Sequence, residues 1–151
     1  MRPARTAIWL AGAMIPMAAA GAAAAETPVP PTLDCSLGFA ALQASAHALA
    51  GAKITESGGF EVVTVEHPDV WRAELSFTTR WHPAYPAATV RTFRKQVTGV
   101  WTAESKSCGY GDQGQFAALV EDLKTGDKAL TDASRAEVER QKASRSPLAP
   151  P

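Results

Sequence analysis

The most suggestive run in this chain is Gly109-Tyr110-Gly111-Asp112-Gln113-Gly114, which has the G-x-G-x-x-G spacing of a dinucleotide-binding turn. The chemistry would be backbone amides and a helix N-terminus cradling a pyrophosphate. That chemistry also needs a second strand after the helix, with an acidic residue at its end to hold a ribose. No apolar strand follows here, so the run reads as a flexible turn beside Cys108. Zinc would want three or four ligands gathered at close spacing. His67 and His82 instead begin His-Pro turns, and His47 stands beside a helix stripe. Neither a metal nor a cofactor is expected. No Ser, Thr or Cys lies in a nucleophile motif, and the carboxylates are scattered singly, leaving no acid–base pair to assign. The chain therefore reads as a binding protein before an enzyme.

Two groups of residues suit binding. Arg72 and Arg80 occupy the polar parity of one strand, and Arg94, with Lys95 near the edge, is expected to join them on one sheet face. Three guanidinium groups so placed would grip a carboxylate or phosphate. Balanced by Glu61 and Glu74, they would instead be an ordinary solvated face. The second group is Trp81, His82 and Tyr85, on a connection stiffened by Pro83 and Pro86. Aromatic side chains on a rigid loop lose little entropy on contact, which makes such a loop a binding hot spot.

Several elements must position these residues. Trp71, Ala73, Leu75 and Phe77 alternate with Arg72, Glu74, Ser76 and Thr78, so Val70–Trp81 is read as a strand with one buried and one wet face. Lys53–Ser57 and Phe60–Val65 flank the turn signal Gly58-Gly59, and His67-Pro68-Asp69 makes the next turn. Thr89–Ser107 keeps one parity through Phe93, Val97, Trp101 and Ala103, which favours one long strand bent at Gly99 over two strands folded back around it. Before the sheet, Cys35, Phe39, Leu42, Ala46 and Leu49 form one helical stripe, capped by Asp34 or Ser36 and ending near Gly51. After it, Asp112 and Gln115 form a capping box for a helix through Phe116, Leu119, Val120 and Leu123, expected to stop near Gly126. The fold class is α+β: an N-terminal helix, an antiparallel sheet of about three to five strands, and a C-terminal helix on one sheet face. Both helices are expected to cover the Trp71 face.

Residues 1–25 resemble an export signal, with Arg2 and Arg5, an apolar run from Ala7 to Ile15, and the small-x-small pattern Ala23-Ala24-Ala25. The run is too short for a helix to cross a hydrocarbon core of about 30 Å. In an oxidising compartment the two cysteines form a disulfide, and with only two the pairing is Cys35 to Cys108. The chain-entropy model assigns such a bridge about 4 kcal/mol. The expected organisation is a signal peptide at 1–25, a solvated Pro-rich linker at 26–33, one domain at 34–131, and a polar, partly disordered tail at 132–151.

Composition sets the remaining bounds. Apolar residues make up 46% and charged residues 20% of 151, an ordinary globular balance. Removing Arg2 and Arg5 from 15 basic residues leaves 13 against 15 acidic, a net charge of −2, which offers nucleic acid no electrostatic handle. The expectation is an exported domain, periplasmic or secreted, that binds a protein or another envelope component without catalysis. The alternatives are a small periplasmic hydrolase or metal-dependent enzyme, and a protease inhibitor. Gln96-Val97-Thr98-Gly99 is one residue short of the Gln-x-Val-x-Gly loop of cystatin-type inhibitors, and a match this short establishes no membership.

Overall fold

The computed structural model describes residues 28–145; the expected export signal and the last six residues lie outside them. A short helix α1 (Phe39–His47) precedes five strands, β1 (Lys53–Ser57), β2 (Phe60–His67), β3 (Trp71–Thr78), β4 (Ala87–Lys95) and β5 (Trp101–Gly109). A 33-residue helix α2 (Gln113–Arg145) is the last element among the described residues. The strands form one antiparallel sheet in sequence order, so every connection is a hairpin and no crossover is needed. Gly58 and Gly59 both have positive φ, 59° and 82°, which fits the two-residue turn between β1 and β2.

The period-2 pattern of β3 sorts its faces. Trp71, Ala73, Leu75 and Phe77 are buried on what we call the inner face. Val63 and Val65 of β2 and Ala88 and Val90 of β4 pair beside them and complete the core. Leu42 and Ala46 of α1 bury against this face, with Phe39 and Leu49 packed at its margin, so the expected helical stripe is the one that packs. The helix begins later than expected. Asp34 Oδ1 accepts from the Ser36 backbone N–H (2.9 Å) and hydroxyl (2.6 Å), which closes a separate turn, and Cys35 lies in that turn ahead of α1. The Cys35–Cys108 disulfide joins this turn to β5, Cα atoms 5.4 Å apart across a sequence separation of 73.

The Pro-rich segment is no solvated lead-in where it is described. Pro30 is buried, and the Trp71 indole N–H donates to the Pro28 carbonyl at 2.6 Å, so the segment is strapped across the inner face. The indole needs a partner when buried, and the extended, proline-stiffened chain supplies a carbonyl.

Three further expectations are corrected. Thr89–Ser107 is two strands joined by a tight turn, in which Gln96 N–H donates to Val100 O and Gly99 N–H to Gln96 O, both at 2.8 Å. Lys95 pairs with Trp101, so odd positions share a face on both strands, and a hairpin reproduces the parity of a single bent strand. Next, α2 runs straight through Gly126 and past residue 131. An ideal Cβ at Gly126 would lie 3.0 Å from Arg91 Nη2, so this glycine makes room for a guanidinium and does not end the helix. Lastly, the helices take opposite faces. Phe116, Leu119 and Leu123 pack with Phe60, Ala84 and Ala87 on the outer face, away from α1.

Beyond that apolar start, polar groups fasten α2. Arg91 Nε and the Ser105 hydroxyl both donate to Asp127 Oδ1, at 2.7 and 2.9 Å. The outward backbone N–H groups of Ala103 and Trp101 donate to the hydroxyls of Thr131 (3.0 Å) and Ser134 (2.8 Å). The helix thereby seals the β5 edge, whose backbone would otherwise stand unpaired.

Candidate functional site

The best-defined candidate is the loop between β3 and β4. Thr78, 2% exposed, donates its hydroxyl to Ala87 O (3.0 Å) and accepts from Ala87 N–H (2.8 Å), so one side chain closes both ends of the loop. Within it, His82 N–H donates to Thr79 O and Tyr85 N–H to His82 O, both at 2.9 Å. Two neighbours hold it from outside: Thr79 N–H donates to Gly59 O (2.8 Å) and Tyr110 N–H to Pro86 O (3.0 Å). Such dense backbone bonding fixes the loop before any partner arrives, which is the condition for low-entropy recognition.

The three aromatic residues have different roles on this frame. The His82 ring lies 4.6 Å from that of Phe60, and its Nδ1 accepts the Ala84 N–H at 3.1 Å, which makes it part of the scaffold. Tyr85 sets its ring edge-to-face against Phe39, centroids 5.6 Å apart, yet remains 44% exposed. Trp81 is 85% exposed. The alternation of β3 breaks after Thr78, so Trp81 leaves the inner face on which its parity would place it and stands at the loop surface. Arg80 beside it is also exposed.

The arginines are not gathered on one face. Arg72 is on the outer face, its guanidinium 4.6 Å over the Phe93 ring and bonded to Glu74 at 2.5 Å. Arg94 pairs opposite Trp71 and so projects from the inner face, while Arg80 lies beyond the end of β3. The parity of Arg94 is opposite to that of Phe93, and Phe93 pairs with Arg72; the cross-strand register, absent from sequence, separates the two arginines. The guanidinium in the more buried pair, with Asp127, is that of Arg91, a residue sequence reasoning passed over. The period-2 signal places it with Phe93, but its carboxylate, Asp127, is 36 residues away.

The glycine run is structural. An ideal Cβ at Gly109 would lie 2.5 Å from the Phe116 ring and one at Gly111 2.4 Å from Tyr85 O, so both glycines admit close packing around the loop. Asp112 caps α2, Oδ1 accepting from Gln115 N–H at 2.8 Å. Among the described residues no three His, Cys, Asp or Glu side chains gather as metal ligands. Nor, among them, is any helix long and apolar enough to cross a membrane.

A concave region, the second candidate, lies on the outer face beside the middle of α2. This groove of about 450 Å³ is lined by Phe93, Trp101, Ala103 and Leu130, with Arg72 and Glu66 at its side. On the inner face Glu61 is half-buried between Gln43, whose amide donates at 2.8 Å, and His47 at 2.6 Å. Burial raises its carboxyl, but these bonds and the His47 charge outweigh it, and the group is held below its ordinary 4.5.

Compared with known proteins, the chain matches no family model, no curated protein and no solved structure.

Proposed function

We propose that this chain is an exported, non-catalytic domain that binds a protein of the cell envelope through the Thr79–Pro86 loop. The observation that carries this reading is the combination of an 85% exposed Trp81 with a loop pinned at its base and along its length. Arg, Trp and Tyr are the residue types that dominate interface hot spots, and Arg80, Trp81 and Tyr85 are all exposed on this one loop. The Cys35–Cys108 disulfide supports an oxidising compartment, in keeping with the export signal read from residues 1–25. The test is native co-purification from an envelope extract with wild type and Trp81→Ala. Trp81 touches so little of the fold that the variant keeps its stability, and a stoichiometric partner should be weakened about 30-fold or more. A partner held equally by both proteins would overturn the reading.

One observation favours an alternative. A groove of about 450 Å³ with an aromatic lining has the size of a small-ligand site, which a hydrolase or a metal-dependent enzyme would need. Filling it with Leu130→Trp distinguishes the two: loss of a turnover or of a bound metal, with partner binding intact, would replace the first reading with the second.

A further inference from the structure

The two edges of the sheet are finished differently. The β5 edge is sealed, its outward N–H groups at Trp101 and Ala103 bonded to hydroxyls of α2. The β1 edge has β2 on one side and, among the described residues, no strand on the other. Ser57 and Phe60 flank a two-residue turn, and Thr79 N–H reaches Gly59 O on the far side of β2. In an antiparallel hairpin of this kind Lys53, Thr55 and Ser57 turn their backbone groups toward β2. Ile54 and Glu56 therefore present their N–H and C=O groups outward.

The side chains at this edge state what it would take. Ile54 is 49% exposed, an apolar side chain continuous with Val63 on the inner face. Glu56 pairs directly opposite Glu61. Like charges so placed repel, and Glu61 is already served by Gln43 and His47. Glu56 is exposed and has no ion pair or hydrogen bond among the described residues, so this edge offers one carboxylate that a partner's cation can meet. A second β1 strand paired antiparallel does not supply it. In an antiparallel pairing of two β1 strands outward positions face outward positions, so Glu56 meets Ala52, Ile54, Gly58 or itself, and Lys53, whose backbone turns toward β2, never comes opposite it.

We propose that β1 is a strand-addition site for an extended segment of a partner protein with the pattern basic-x-apolar, its Lys or Arg opposite Glu56 and its apolar residue opposite Ile54. Backbone bonds to Ile54 and Glu56 hold the segment and the alternate side chains select it. The charges that guard a short edge against indiscriminate pairing are here what chooses the partner. This site is separate from the Trp81 surface, although the Gly58–Gly59 turn at its end lies against His82, whose Cδ2 is 3.5 Å from an ideal Cβ on Gly59.

The probe is a capped peptide, Ser-Thr-Lys-Thr-Ile-Thr-Ser, and its twin with Glu in place of Lys, titrated into the full chain while amide exchange is followed by NMR. The Lys peptide should slow exchange at the Ile54 and Glu56 amides and bind about fivefold more tightly than its twin. Glu56→Lys should reverse that preference, and Trp81→Ala should leave both titrations unchanged. Absence of protection at these two amides with millimolar peptide overturns the proposal, as does equal binding of both peptides. Protection that appears without peptide and grows with protein concentration would assign the edge to a second copy and overturn it equally.

Discussion

On the inner face α1 is held by Leu42 and Ala46 set among Val63, Leu75 and Phe77. On the outer face α2 has an apolar seat only at its start, around Phe116 and Leu119, and is then fastened by Asp127, Thr131 and Ser134 to β4 and β5. The first attachment comes from removing apolar area from water, without direction. The second comes from hydrogen bonds, which fix position along the strand but leave little net energy, because water would have bonded the same groups. That difference explains how a helix of mean polar character can lie beside a sheet. It also accounts for the groove at Phe93, Trp101 and Leu130, since a helix held by spaced polar bonds does not press its whole length onto the face.

The contrast can be broken most directly at Phe77, which is fully buried on the inner face. Phe77→Ala should cost about 3–5 kcal/mol, read from the midpoint of urea unfolding. On the outer face Asp127→Ala removes the acceptor shared by the Arg91 guanidinium and the Ser105 hydroxyl, leaving them only their mutual 3.3 Å bond, and should cost about 2 kcal/mol. If the two variants lose equal stability, the distinction between the faces is wrong. A double-mutant cycle between Arg91 and Asp127 sharpens it by isolating their coupling.

A smaller effect concerns the inner strap. Trp71→Phe keeps most of the ring and deletes only the indole donor to Pro28 O, so it should lose about 1 kcal/mol and loosen residues near Pro28 to proteolysis. The smallest effect is at Glu61. Its carboxyl is lower in the fold than its ordinary 4.5, so its contribution is fully present above that value and is lost as the pH falls through the folded value. Denaturation midpoints measured from neutral to acidic pH should decline less steeply in Glu61→Gln than in wild type; parallel curves would remove Glu61 from the inner face's account.

Legibility from sequence followed the distance over which each feature is decided. The β3 alternation, the Gly58-Gly59 hairpin and the Phe39–Leu49 stripe are set by neighbours within a few residues, and all three stand in the fold. Trp81, His82 and Tyr85 were recognisable as a proline-bounded aromatic cluster, but not which of them faces outward. That depends on Phe60 and Phe39 reaching the loop from elsewhere.

The sequence alone determined that the fold is α+β, that strands with one apolar face exist to be covered, and that two cysteines can pair in only one way. Tertiary structure decided the rest. Parity is the same for a hairpin and a bent strand, so only pairing shows the turn at Gly99. A glycine in a polar helix looks like a stop until Arg91 of another strand is found against it. The face on which α2 lies, and which sheet edge it covers, follow from hydroxyls on the helix meeting backbone amides about 30 residues earlier. No local pattern encodes that meeting, because each partner is an ordinary polar residue until the other arrives.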